Sequence, residues 1–92
     1  MDSKPSTPWY LYILECQGGS LYTGISTDVM RRYALHQSGR GARYTRIRPP
    51  VRLMLTIEFA SRADALRAEY SLKQLSRADK LAFCLRHGAP TG

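Results

Sequence analysis

Cysteine and long apolar runs are both scarce in this chain of 92 residues. Its two cysteines, Cys16 and Cys84, belong to no Cys-x-x-Cys pair, so the sequence offers neither a metal knuckle nor a dithiol redox motif. We expect both thiols to be reduced and packed in the interior. No run approaches the roughly 20 apolar residues that span a bilayer, and residues 1–8 lack the apolar region of a secretory signal. These absences predict a soluble, cytoplasmic protein that contacts no membrane.

Acidic residues are also few, at 7 against 14 lysines and arginines, which gives a formal net charge of +7. Most of the cations are arginine, whose planar guanidinium suits bidentate contacts with phosphate. Seven arginines and no acid lie between Arg31 and Arg52. Such a run can be a solvated loop, but Tyr44 lies among these arginines, and a basic surface with an aromatic ring can follow phosphates and stack bases. The charge balance therefore favours a polyanionic partner, with nucleic acid first.

Local patterns predict six elements in one domain, which we place at residues 9–87 between a flexible lead-in (1–8) and a short tail (88–92). Period-two alternation marks strands, glycines supply a turn, and serine, threonine or aspartate can cap each helix. The predicted strands are 10–14, 20–24 and 51–59, and the predicted helices are 29–37, 61–75 and one from 76 that Gly88 and Pro90 close. The order β-β-α-β-α-α predicts an α/β (α+β) fold, in which helices flank a three-stranded, mainly antiparallel sheet.

Three segments carry more detailed expectations. In the third strand, alternation puts five apolar residues on one face: Val51, Leu53, Leu55, Ile57 and Phe59. In the last helix, four residues spaced i, i+3, i+4 and i+7 form a stripe that should face the core: Ala78, Leu81, Ala82 and Leu85. The arginine-rich segment is expected to be a loop, because Gly39 and Gly41 end the first helix and Pro49-Pro50 prevents another.

Several polar side chains are expected to converge near the hairpin. Strand alternation puts Tyr10 and Tyr12 on one face, and Tyr22 lies across the hairpin on a face that the turn register decides. Arg32 and His36 are four residues apart, so they share one face of the first helix. A small hydrophobic core does not need phenols, a guanidinium and an imidazole in one place. Their convergence therefore indicates a functional site.

Glu69 lies on the apolar side of the second helix, among Ala65, Leu66, Leu72 and Leu75. A carboxylate in that position is costly unless it is paired or binds a metal. Two ordinary interpretations are open beside metal binding. Glu69 can form an ion pair with Lys73 at i+4, or it can lie at the edge of the apolar stripe and reach solvent.

Together these residues resemble the GIY-YIG nuclease superfamily, in particular its small single-domain bacterial members of unassigned role. The likeness covers residues 8–86 and is carried by Tyr10-Leu11-Tyr12, then after nine residues Tyr22-Thr23-Gly24, then Arg32, His36 and Glu69. Both triplets depart from the family name at positions that shape strands rather than react. Ile25 stands where repair-type members often have lysine, and the chain has no asparagine, which larger members often place late in the domain.

The resemblance implies a metal-dependent endonuclease that hydrolyses phosphodiester bonds in nucleic acid, with DNA favoured over RNA and repair or recombination as the setting. Glu69 would hold a single Mg²⁺ or Mn²⁺, weakly without substrate, and Arg32 would grip the scissile phosphate. Tyr12, Tyr22 and His36 are all candidates for the general base, and neighbouring cations would have to lower the pKa of a phenol in that role. The candidate nucleic-acid contacts are Arg31, Arg40, Arg43, Tyr44, Arg46, Arg48 and Lys73.

Two other functions fit the same sequence. A catalytically weak or silent nucleic-acid-binding module would keep the basic surface. An interaction subunit would instead deliver this domain to a partner protein in a repair complex. Metal-dependent cleavage distinguishes the enzyme from both alternatives, whereas salt-sensitive binding without cleavage identifies the binding module.

Overall fold

The run of aromatic and aliphatic residues after Pro8 forms the central strand of the sheet. In the computed structural model, which describes residues 7–87, β1 is Trp9–Cys16. It pairs antiparallel with β2 (Leu21–Ser26) on one side and with β3 (Pro50–Phe59) on the other. The predicted three-stranded antiparallel sheet is confirmed. The predicted tail, the closing residues Gly88 and Pro90, and most of the predicted lead-in lie outside the described residues.

Within residues 7–87, four α-helices flank this sheet, and each predicted one is present. They are α1 (Val29–Gln37), α2 (Arg43–Ile47), α3 (Arg62–Lys73) and α4 (Arg77–Arg86). The side chains of Asp28, Ser61 and Ser76 accept hydrogen bonds from backbone N–H groups in the first turns of α1, α3 and α4, as N-caps do. None of the helices within residues 7–87 is long and apolar enough to cross a membrane.

The short helix α2 corrects the prediction that the arginine-rich segment is a loop. Gly39, at φ 82, ends α1 as expected. No glycine or proline then interrupts residues 42–48, so one helical turn forms before Pro49. Thr45 is fully buried at its centre, and its hydroxyl donates to the Ala42 carbonyl at 2.8 Å. Burial of this threonine ties α2 to the rest of the fold.

Two register shifts in β3 also correct the sequence analysis. The pairing with β1 skips Val51 and Met54, so each is an extra residue, as in a β-bulge. Because a single-residue shift reverses the side-chain direction, Leu53 and Leu55 pack on opposite faces of the sheet. Val51 is 55% exposed. The prediction of one continuous apolar face on this strand is therefore wrong.

The last helix is buried through a different stripe from the predicted one. Lys80 and Cys84 are its buried residues, whereas Ala78 is exposed and Leu85 is 49% exposed. The helix is rotated so that the residue pair at i and i+4 faces the sheet, and Leu81 only flanks the contact. The prediction was wrong because it counted only apolar residues, whereas the long aliphatic stem of Lys80 also packs against the core.

The sheet separates two apolar clusters. The aliphatic cluster, on the side of α3 and α4, is centred on Leu11, Ile13, Met54, Leu55, Leu72 and Cys84. The tyrosine cluster, on the side of α1, is centred on Tyr12, Leu14, Cys16 and Val29, with Tyr10, Tyr22, Tyr33 and Leu53 packed against it. Both cysteines are free and buried, which confirms the expected packed thiols.

Candidate active site

The hairpin register places the site tyrosines on one face of the sheet. Tyr12 pairs with Gly24, and Leu14 pairs with Tyr22, so both phenols belong to the tyrosine cluster. A Cβ at Gly24 would lie 2.5 Å from the Tyr12 hydroxyl oxygen. The glycine of the second triplet therefore leaves the space in which the Tyr12 ring lies. Tyr10 packs at the margin of the same cluster.

His36, on α1, is fully buried and hydrogen-bonded through both ring nitrogens. Its Nε2 lies 2.9 Å from the Tyr12 hydroxyl, and its Nδ1 lies 2.8 Å from the Thr45 hydroxyl. The Ala42 N–H approaches Nδ1 at a longer 3.3 Å. Burial, and secondarily the charge of Arg32, hold the pKa of His36 below its ordinary value. His36 is therefore a neutral imidazole at neutral pH, enclosed rather than open to solvent.

Tyr12 interacts electrostatically with other predicted site residues. Burial raises the pKa of Tyr12, the interaction with Arg32 opposes that increase, and Tyr22 and Glu69 add to it. Both Arg32 and Glu69 therefore influence this phenol, and such interactions weaken with distance. The net increase contradicts the expectation that neighbouring cations lower the pKa, because for Tyr12 burial outweighs Arg32.

Tyr22 is the more accessible of the two phenols. It is half-buried, whereas Tyr12 is 1% exposed. The Tyr22 ring centre lies 5.2 Å from that of His36 and 6.4 Å from that of Tyr12. On its other side, Tyr22 stacks on Tyr44 with ring centres 5.9 Å apart and an interplanar angle of 26°. Tyr44, 40% exposed, therefore supports Tyr22 and presents part of its own ring to solvent.

Glu69 is a partly exposed carboxylate at the edge of this group. Its side chain is 17% exposed, and Oε2 lies 3.2 Å from the Lys73 ammonium, so the i, i+4 ion pair is present. Within residues 7–87 there is no group of three or more His, Cys, Asp or Glu side chains that could hold a metal ion. An ion at Glu69 would have one protein carboxylate and would need water and phosphate oxygens for its other positions. Mg²⁺ and Mn²⁺ accept such a ligand set.

The candidate nucleic-acid contacts lie on α1, on α2 and beside it, and at the end of α3. Two of these arginines and Tyr44 lie on α2 itself, the helix that also carries Thr45. All seven candidate residues are exposed: Arg31, Arg40, Arg43, Tyr44, Arg46, Arg48 and Lys73. Since Tyr44 stacks on Tyr22, α2 carries candidate contacts beside the site.

A family model described as the GIY-YIG catalytic domain matches residues 8–82. The chain belongs to the GIY-YIG family. This membership implies a nuclease-type function and contact with nucleic acid, since the family is an endonuclease superfamily. Nucleases of the GIY-YIG family generally depend on a divalent metal.

Small bacterial members of the family are similar along most of their length. The chain is 55% identical over 82 residues to a UPF0213 protein of Cupriavidus pinatubonensis, covering 89% of this chain and 91% of that protein. It is 49% identical over 80 residues to a UPF0213 protein of Streptococcus agalactiae, covering 87% and 91%. The solution NMR structure of a UPF0213 protein from Bacillus halodurans matches with a TM-score of 0.59 at 51% identity, over 90% of this chain and 88% of that one. These names state no activity.

Two residues at the GIY-YIG site were not expected from the sequence. Thr45 is fully buried against His36, and Gly41 lies so close to the imidazole that any Cβ there would collide with Nδ1. Thr45 stands between arginines in a segment predicted to be a loop. Its burial could have been suspected only if the segment had been recognised as a helix, because a threonine in a basic loop is ordinarily solvated.

Proposed function

We propose that this protein is a metal-dependent endonuclease that hydrolyses phosphodiester bonds in DNA, in repair or recombination. The observation that carries the proposal is the buried Tyr12 phenol, whose ring centre lies 6.4 Å from that of Tyr22 and whose pKa is affected by both Arg32 and Glu69. We assign phosphate binding to this cation and metal binding to this acid. Membership of the GIY-YIG family supports the same reaction class.

Arg32 is assigned to the scissile phosphate. Its guanidinium offers two parallel N–H donors to the non-bridging oxygens. The same contact strengthens as negative charge grows on those oxygens during attack by water, so it favours the transition state over the bound substrate.

Among the three candidates for the general base, Tyr22 is the one we assign to the attacking water. His36 is fully buried with both ring nitrogens engaged, and Tyr12 is 1% exposed with its hydroxyl hydrogen-bonded to His36. Neither can meet a water without rearrangement. Tyr22 is half-buried and adjoins both. Acting as phenolate, it would accept the proton that the water loses as the new P–O bond forms. The P–O bond to the departing 3′ oxygen breaks in the same displacement, and that oxygen takes a proton from solvent.

Glu69 would hold the metal ion, with Lys73 released from its ion pair toward phosphate. The side chain is partly exposed, and a lone carboxylate with water and phosphate oxygens suits Mg²⁺ or Mn²⁺. When bound, the ion would supply charge neutralisation at the phosphate. Because the protein contributes one carboxylate, metal affinity should be low until nucleic acid is present.

The test is cleavage of labelled single-stranded, duplex and branched DNA and of RNA, in Mn²⁺, Mg²⁺ or EDTA. We expect cleavage that EDTA abolishes and that Glu69→Gln lowers by at least about a hundredfold. Glu58→Gln is the matched control, because Glu58 is an exposed glutamate on β3, outside the site. Salt-sensitive binding with no cleavage of any substrate would overturn the enzyme and identify a binding module. Absence of binding at moderate salt would leave an interaction subunit.

A further inference from the structure

A continuous chain of buried hydrogen bonds runs from α2 to Tyr12. The Thr45 hydroxyl donates to the Ala42 carbonyl at 2.8 Å and lies 2.8 Å from His36 Nδ1. His36 Nε2 lies 2.9 Å from the Tyr12 hydroxyl. Thr45, His36 and Tyr12 are each at most 1% exposed. In such a sealed chain, each proton can be assigned by counting donors.

The count begins at Thr45, which has a single hydroxyl proton. That proton is used in the bond to the Ala42 carbonyl, so at its contact with His36 the hydroxyl oxygen must accept. His36 Nδ1 is therefore the donor and carries the ring proton. Since His36 is neutral, Nε2 is left with a lone pair and accepts from the Tyr12 hydroxyl.

The opposite tautomer satisfies a different set of groups. With the proton on Nε2, Nδ1 accepts from the Ala42 N–H at 3.3 Å, a hydrogen bond that the Nδ1–H tautomer gives up in order to keep both 2.8 Å hydrogen bonds of the Thr45 hydroxyl. The lone pairs of Nδ1 and of the Thr45 oxygen would then face each other at 2.8 Å, unless Thr45 gave up its bond to the Ala42 carbonyl. The Tyr12 oxygen would also accept from His36, which leaves the phenol's own proton without an evident acceptor.

We propose that Thr45 is a positioning residue that holds His36 in the Nδ1–H tautomer, so that the Tyr12 hydroxyl donates to His36 and its oxygen lone pairs remain available to the site. Thr45 touches no substrate. It acts through His36 on the direction of the Tyr12 proton. The tautomer assignment rests on the hydrogen bonds together with the neutral charge of His36, whereas its effect on cleavage rests on the proposed function.

Contacts at Gly41 and Tyr44 show that α2 and the residues just before it pack closely against His36 and Tyr22. A side chain at position 41 would displace the imidazole, and Tyr44 stacks on Tyr22 one residue before Thr45. The helix that carries exposed Arg43 and Arg46 therefore also fixes the proton positions at His36 and Tyr12.

The test is a long-range ¹H–¹⁵N correlation spectrum of the histidine rings at pH 7.5, recorded on the intact chain. The exposed His87 is an internal reference within the same spectrum. We expect His36 to show a protonated Nδ1 and a bare Nε2. Thr45→Val, which keeps the shape but removes the acceptor, should shift His36 toward the Nε2–H tautomer. Thr45→Ser should restore the wild-type pattern. In cleavage assays, Thr45→Val should lose about tenfold or more in rate and Thr45→Ser should recover it.

An Nε2–H tautomer in the wild-type protein would overturn the proposal, and so would a Thr45→Val spectrum with His36 unchanged. The wild-type spectrum decides the assignment even where Thr45→Val fails to fold. If the tautomer is as expected but no substrate is cleaved, the proposed nuclease function fails while Thr45 keeps its positioning role. If cleavage occurs but the tautomer is Nε2–H, the positioning role fails alone.

Discussion

The two faces of the sheet use different chemistry to reach the same degree of burial. The aliphatic cluster excludes water with side chains that need no partner, such as Leu11 and Ile13. On the opposite face, Tyr12, His36 and Thr45 are as deeply buried, yet each is polar and each is hydrogen-bonded. Dispersion and desolvation stabilise the first face. The second is stable only while its hydrogen-bond chain is complete.

This difference assigns the two faces separate tasks. Replacing an aliphatic side chain changes packing. Replacing a polar side chain that packs with the tyrosine cluster also changes which atoms of the hydrogen-bond chain carry the protons. Glu69 connects the two faces, since it belongs to α3, which packs on the aliphatic side, and still interacts with Tyr12. Substitutions on the aliphatic face should therefore change stability, and those on the tyrosine face should change chemistry.

The largest effect on stability is expected from Leu11→Ala. Leu11 is fully buried in the aliphatic cluster, and truncating such a leucine costs about 2–5 kcal/mol through lost transfer free energy and a residual cavity. Urea denaturation measures the loss. Leu85→Ala is the matched control, because Leu85 is 49% exposed and should change stability by less than about 0.5 kcal/mol. Reduced cleavage per folded molecule in Leu11→Ala would show that the aliphatic face takes part in the chemistry.

Arg32→Ala should have the next largest effect, on rate rather than on stability. Removing a donor aimed at the charge of a transition state costs about a hundredfold in rate. The hydroxyl of Tyr12 keeps its bond to His36, so unfolding should change little. Arg67→Ala, which removes an equally charged and 73% exposed side chain from α3, should keep the wild-type rate. A comparable loss in both variants would indicate general electrostatic binding instead of a site contact.

A pair of threonine substitutions, one on each face of the sheet, should change the free energy of unfolding in opposite directions. Within residues 7–87, Thr23 Oγ1 is buried without a hydrogen-bond partner, opposite Ile13 on the aliphatic side. Thr23→Val should therefore stabilise by about 1–2 kcal/mol, since it removes a desolvated hydroxyl at nearly constant shape. Thr45→Val removes an acceptor and a donor that are both in use, and should destabilise by about 1–3 kcal/mol. Thermal or urea unfolding measures both, and equal signs would contradict the comparison.

The sequence predicted the elements well because their determinants are local. The caps at Asp28, Ser61 and Ser76 and the glycine turn before β2 act within a few residues of the chain. The same holds for the face shared by Arg32 and His36, since helical spacing alone sets it. The family resemblance added Glu69, which no local rule connects to the hairpin.

What the sequence did not predict depends on contacts between distant segments. The bulges at Val51 and Met54 arise from pairing with β1, so alternation within β3 could not reveal them. The burial of Thr45 depends on an imidazole nine residues earlier in the chain. The raised pKa of Tyr12 depends on how completely the fold encloses it, and composition offers no measure of that.

The smallest expected effect is the pH dependence that His36 gives to folding. Burial depresses the pKa of His36 in the folded protein, so the unfolded chain, with a pKa of about 6.5, binds more protons in acid. This contribution to stability is complete above about pH 6.5 and is lost as the pH falls toward the folded-state pKa. The slope cannot exceed about 1.4 kcal/mol per pH unit, the limit for one proton.

Urea midpoints between pH 5.5 and 7.5 measure this slope in a range where ordinary carboxylates remain ionised. His36→Gln should flatten the dependence. If stability rose toward pH 5.5, protonated His36 would be favoured by the fold, and the neutral imidazole that accepts from Tyr12 would be wrong. The sign of this slope therefore tests, without any substrate, whether the tyrosine face maintains the proton arrangement that separates it from the aliphatic face.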